Sequence, residues 1–155
     1  MTALTQNAQR PVMLPAGGLS FGRVHLQGYT NNSGAYTVYH GSILAIDATD
    51  ASGYATNVTA TPASGDVFMG IAVERQDVTI LDLLNGSKDV SAAKNGVWGF
   101  PVGALTQANV GAPAYAHDDN LVDATSSNGL KIGVIEAVDA TYIWVNIASM
   151  FAQQT

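Results

Sequence analysis

The chain contains no cysteine. Disulfides, thiolate metal sites and thiol nucleophiles are therefore excluded. No covalent staple is needed either, because a chain of 155 residues buries roughly 70% of the surface it exposes when unfolded. Charge is scarce as well. Asp, Glu, Lys and Arg make up 12% of the residues, against roughly 25% in an average soluble domain, and a surface this poor in charge suits coverage by other subunits. Six basic residues face twelve acidic ones, for a net charge of −6 and a pI near 4.6. Phosphate neutralisation needs clustered Lys and Arg, and here the cations are dispersed, so no nucleic-acid partner is expected. No apolar run approaches the ~20 residues of a membrane span. The first ten residues lack the basic-then-apolar order of a signal peptide, so synthesis in the cytoplasm and no membrane partner are expected.

Signatures of chemistry are missing too. His25, His40 and His117 are scattered and form no His-x-x-x-His pair. There is no Gly-x-Ser-x-Gly elbow and no phosphate-binding Gly-x-x-x-x-Gly-Lys-Ser/Thr. The segment Asp47 to Gly53 lacks the ligand spacing and closing Glu of a calcium loop. His117-Asp118-Asp119 with Asp123 offers metal-ligand types, but neighbouring residues of an extended chain point to opposite sides, and the flanking Asn and Ser are turn formers. That segment reads as a solvated loop. A two-carboxylate glycosidase is a spatial arrangement, and twelve carboxylates make chance proximity common. The expectation is a protein that is not an enzyme and uses no metal or cofactor.

What the chain does have is short alternating apolar segments punctuated by Gly, Asn and Asp. Val67-Phe68-Met69-Gly70-Ile71-Ala72-Val73-Glu74 predicts a central strand with Val67, Met69, Ile71 and Val73 on the core side. Further strands are expected at 21–29, 36–39, 43–46, an edge strand at 54–61, a run from Val78 to Leu84 ended by the Asn85-Gly86 turn, 87–93, and 97–102 ending at or near Pro101. Residues 103–109 read as a short helical turn, followed by a new strand from Gly111. The chain closes on a hairpin, 132–138 and 141–148, with Ile143, Val145 and Ile147 facing one way. Residues 1–19 show neither helical nor strand period. Pro11, Pro15 and Gly17-Gly18 make them an extended, flexible arm, which the apolar Val12, Met13 and Leu14 suggest becomes ordered against a partner. Residues 20–155 read as one domain. The fold class expected is all-β, a mainly antiparallel sandwich or small barrel, with at most one or two short helices.

The two halves repeat a phrase. Gly41-Ser42-Ile43 is echoed at Gly111-Ala112-Pro113, Gly70-Ile71-Ala72-Val73 at Gly133-Val134-Ile135, and each half reaches a tryptophan strand, at Trp98 and Trp144. The offsets differ, so this is a degenerate duplication and not a solenoid.

The Gly-bounded strands, Gly70-Ile71-Ala72-Val73, Asn95-Gly96-Val97-Trp98 and the closing Ile132-Gly133-Val134-Ile135 and Ile143-Trp144-Val145 resemble tailed-phage capsid decoration (cement) proteins over roughly residues 20–148. That family is similar in role to the lambda head decoration protein. The resemblance implies a homotrimer on the outer surface of the virion head that clamps neighbouring major capsid protein subunits, with no catalytic residue. On that reading Val12, Met13 and Leu14 are expected to contact the capsid, and Trp98, Phe100 and Tyr142 the trimer partner. The alternative is a carbohydrate-binding module of a phage fibre or a surface lectin, with Trp98, Trp144, Tyr36, Tyr39 and Phe100 as its aromatic platform.

Overall fold

The computed structural model describes residues 3–58, 62, 65–125 and 129–147. The chain is all-β with antiparallel sheets, an extended N-terminal arm and, among the described residues, one 3-10 helix at Gln107–Asn109. That helix fulfils the turn expected at 103–109. Thr106 caps it by accepting from the Ala108 N–H, and Asn109 reaches back to the Thr106 N–H.

The strands, in chain order, are β1 (Val12–Met13), β2 (Phe21–His25), β3 (Tyr36–Val38), β4 (Ile43–Ile46), β5 (Thr56–Asn57), β6 (Val67–Ala72), β7 (Gln76–Val78), β8 (Asp89–Ala93), β9 (Val97–Pro101), β10 (Pro113–Ala116), β11 (Val122–Asp123), β12 (Lys131–Val138) and β13 (Tyr142–Asn146). They form a six-stranded sheet ordered β1-β9-β13-β12-β10-β11, a five-stranded sheet ordered β2-β8-β6-β4-β5, and a ribbon of β3 and β7. Positions 59–61 of the expected edge strand, 126–128 of the expected loop and 148 of the closing strand lie outside the described residues.

Both large sheets follow one plan. Strands β2, β4, β5, β6 and β8 hold the same places in one sheet as β9, β10, β11, β12 and β13 in the other. The registers agree residue by residue. Ile43 faces Ile71, Leu44 faces Gly70, and Ala45 then faces Phe68, skipping Met69. Pro113 faces Val134, Ala114 faces Gly133, and Tyr115 then faces Lys131, skipping Ile132. Each half therefore carries the same bulge beside the same glycine. Gly41 donates its N–H to the Ala72 carbonyl, and Gly111 to that of Ile135, both at 2.8 Å. The glycine-anchored duplication in the sequence is thus a duplication of strand order and register. The tryptophan correspondence is not: Trp98 sits on β9, the counterpart of β2, whereas Trp144 sits on β13, the counterpart of β8.

Between the sheets lies the larger core, with Ile43, Phe68 and Ile71 from one side and Trp98, Phe100, Ile132, Ile135, Ile143, Val145 and Ile147 from the other. The five-stranded sheet is covered on its second face too. There the β3–β7 ribbon packs Tyr36, Val38 and Val78 onto Val24, Leu44, Ala72, Val90 and Ala92. Burial on both faces explains why β4 reads Ile-Leu-Ala-Ile without alternation.

Two strand readings need correcting. In β6 the bulge breaks the period: Phe68 and Ile71 both enter the larger core, Met69 packs on the smaller one, and Val67 is exposed. The run from Val78 to Leu84 is strand only to Val78. Asp82 then caps a turn by accepting from the Thr79 N–H and hydroxyl, while Tyr29 and Thr30 donate to the Asp82 and Leu83 carbonyls. The result is a fixed loop that holds Ile80, Leu81, Leu83 and Leu84 out in solvent.

Candidate functional site: the N-terminal arm and its seat

The arm lies along the edge of the six-stranded sheet. Pro11 accepts from the Gly99 N–H at 2.9 Å, and Val12 and Met13 pair with Trp98 and Val97 as the outermost strand. Gly99 makes this approach possible, since a Cβ there would stand 2.7 Å from the Pro11 ring. Upstream, Ala8 donates to the His40 carbonyl at 2.8 Å, and the Asn7 side chain accepts from the His40 N–H at 3.0 Å. Residues 36–42 thus serve as a second rail for the arm.

Arg10 is the anchor. Its guanidinium is buried, donates from Nε to the Gly41 carbonyl at 2.7 Å, and from Nη2 to the Asp119 carbonyl at 3.2 Å and Asn120 Oδ1 at 3.0 Å. Its Cζ lies over the Phe100 ring, 4.4 Å from the centroid, a cation–π contact made stronger by desolvation. Burial pulls the Arg10 pKa down to about 10, with Asp119 and then Asp118 pulling the other way. The group therefore stays charged at neutral pH.

Asp119 is the hub on the body side, and it has no exposed surface. One carboxylate oxygen accepts from the Leu4 N–H at 2.8 Å, and the other from Ser42 Oγ at 3.0 Å and Asn57 Nδ2 at 3.4 Å. Its carbonyl also accepts from Ile43 N–H. Burial raises the Asp119 pKa, opposed by the bonds from Leu4, Ser42 and Asn57. A carboxylate enclosed in this way has no face left for a substrate. It ties the arm, β4, β5 and the β10–β11 loop together. The segment read as a solvated loop is therefore partly interior: Asp118 is buried as well, and caps its turn by accepting from the Asn120 and Leu121 N–H groups, both at 2.8 Å. His117 is exposed. Among the described residues no three His, Cys, Asp or Glu converge on a metal position.

The residues put forward from sequence separate into two sets. Met13 and Leu14 are 46% and 67% exposed, while Val12 turns inward onto the larger core. Trp98 and Phe100 are 3% and 0% exposed. They are interior, so neither offers a trimer contact or a sugar platform. Tyr142 is half-buried beside Trp144, with ring centroids 5.6 Å apart and planes at 61°. That edge-to-face pair is fixed by the Trp144 indole donating to Asp139 at 2.9 Å, and it does not form the flat surface on which a pyranose stacks. The sequence reading missed Arg10, and it placed Asp119 in a solvated loop where the structure buries it. The available signal was a lone cation in an otherwise neutral arm; its receiver lies 109 residues away, beyond any local pattern.

Comparison with known protein families, with curated sequences and with solved structures finds no match to this chain.

Proposed function

We propose that this protein is a structural capsid-decoration (cement) protein. In this reading it forms a homotrimer on the outer surface of a phage head, and clamps neighbouring major capsid protein subunits against the outward pressure of packaged DNA. The observation that carries the reading is the arm. It presents exposed Met13 and Leu14 at the outermost strand of a sheet, held there by a buried anchor. A short edge strand with apolar side chains can add to a strand of a neighbour, with main-chain hydrogen bonds supplying affinity and the side chains selectivity. Three such arms on one trimer multiply a modest single-arm affinity through effective concentration. Binding only to the assembled lattice stabilises that lattice by mass action. Of the residues put forward for the trimer contact, Tyr142 keeps an accessible face.

The test leaves the anchor untouched. Met13→Ser with Leu14→Ser changes exposed positions, so the melting temperature should move by no more than a few degrees. Co-sedimentation with expanded tailed-phage heads stripped of their decoration protein should be lost, while the unaltered protein sediments with them. Heads that retain the double variant as tightly as the parent would overturn the arm's role. A monomeric mass in solution would overturn the trimer.

A further inference from the structure

We propose that the N-terminal arm is exchanged between copies of this chain, so that Arg10 of each copy seats against Gly41, Asp119 and Phe100 of its neighbour. This deepens the homotrimer reading and rests on its self-association, not on what the assembly binds.

The arm is built as a ligand on a hinge. Its contacts with the seat come from residues 4–13. Just beyond lies a turn closed by the Gly18 N–H donating to the Pro15 carbonyl at 2.9 Å. Gly17 and Gly18 hold φ of +89° and +83°, and a Cβ on either would meet nothing within 4 Å. A side chain at either position would clear the body. Immediately after it the chain is fixed again, because Asn95 accepts from the Ser20 N–H at 2.7 Å and donates to the Gly18 carbonyl at 3.3 Å. These contacts place the pivot at Pro15–Gly17.

On the arm side, Pro11 and Pro15 fix their own φ and hold the residues before them, Arg10 and Leu14, extended. A released arm keeps much of its docked shape, which lowers the entropy cost of seating elsewhere. An empty seat is costly, however. It leaves the Gly41 and Asp119 carbonyls without the Arg10 donors, the Asp119 carboxylate without Leu4, Phe100 without its cover, and the β9 edge open. An arm that leaves must be replaced, so exchange is reciprocal and closes on itself, as a pair or a ring of three. Closed and exchanged forms make the same docking contacts. They differ in the Pro15–Gly18 turn and in the cost of association. Raising the local concentration of copies, as on a crowded surface, favours exchange.

The absence of native cysteine makes the test direct. Met13 and Val97 are paired across β1 and β9. Full-length chains carrying Met13→Cys are mixed with chains carrying Val97→Cys, unfolded, refolded together and oxidised. Exchange gives a disulfide-linked heterodimer on a non-reducing gel. A second measurement places both substitutions in one chain. If that double variant closes only within itself, and the mixture gives no heterodimer, the arm stays home and the proposal fails. It fails equally if the double variant forms no crosslink of either kind. Gly17→Ala with Gly18→Ala, each forced to positive φ by the closed turn, should raise the heterodimer yield on the order of tenfold per glycine. Loss of head binding with exchange intact would count against the cement reading alone.

Discussion

The two halves of the molecule share strand order, register and bulge, yet their equivalent loops meet opposite fates. After β4 the loop stays in water: Asp47 caps Thr49, and Asp50 accepts from Ser52, Asn31 and Gln27 near the surface. After β10 the corresponding loop is roofed by the arm, and its Asp119 is enclosed by Leu4, Ser42 and Asn57. Burial raises the Asp119 pKa, whereas the Ser52 hydroxyl and N–H, then Asn31, lower that of Asp50. One plan thus holds an aspartate as a solvated turn cap in one half and as an interior hub in the other. The difference lies in what is added to each copy. The first half gains the β3–β7 ribbon over its sheet face, and the second gains the arm along its edge. A repeat fixes where strands run; what is laid over it decides which residues are interior.

The strongest way to break this contrast is to remove the roof. Arg10→Ala deletes three hydrogen bonds, two of them buried, and the cover of Phe100, leaving the Gly41 carbonyl without its Arg10 donor and the Asp119 carbonyl with Ile43 N–H alone. The cost should be about 3 kcal/mol, read as a fall in melting temperature on the order of 6–12 °C for a chain of this size. Hydrogen exchange gives the more pointed readout. The Gly99 N–H, bonded to Pro11, should lose protection, while its counterpart region on β2 and β8 keeps it. Unchanged protection at Gly99 would mean that the arm is held by β1 alone.

How far the sequence reached follows from which contacts are local. Alternation and Gly-Asn punctuation placed the strands, because period and turn chemistry act within a few residues. The matched glycines at 41 and 111, and at 70 and 133, marked the duplication because each bulge needs its glycine at the same register. Parity alone could not orient β9, however. Trp98 and Phe100 share a face, and only the partner strands determine that this face is the core. Gly99, on the opposite face, is the residue that meets the arm. The Ile80 to Leu84 run failed as a strand because Asp82 captures the Thr79 backbone and forces a turn. The arm's seat was not legible at all, since Arg10 and Asp119 come together only through tertiary structure.

A gentler change sharpens the contrast through pH. Asp119→Asn keeps the shape of the hub and removes its titration. In the folded protein the Asp119 carboxyl holds its proton more tightly than in the unfolded chain, whose pKa is near 3.8. The stabilisation from this linkage is fully present below that value and is lost as pH rises through the higher folded pKa. The stability of the parent relative to the Asn variant should therefore fall as pH is raised from about 4 toward neutrality. Urea unfolding of both proteins at intervals from acid to neutral pH measures the gap. A gap that widens in favour of the parent over that range would show that the hydrogen bonds from Leu4, Ser42 and Asn57 outweigh burial.

The smallest effect belongs to the open loop, and its sign is reversed. Asp50 has a lowered folded pKa, chiefly from Ser52 and then Asn31. Its stabilisation is present above the unfolded value of 3.8 and is lost as pH falls through the folded one. Asp50→Asn should therefore cost the protein most near neutrality and nothing measurable in strong acid. Because water reaches this carboxylate, the cost should stay under about 1 kcal/mol and shrink with added salt. Placed on one axis, the two Asp→Asn profiles should slope in opposite directions through the same pH window. Parallel slopes would mean that the hydrogen bonds from Leu4, Ser42 and Asn57, and not burial, set the titration of Asp119. Both copies of the repeat would then hold their aspartates by the same means, and the arm's roof would add no electrostatic distinction between them.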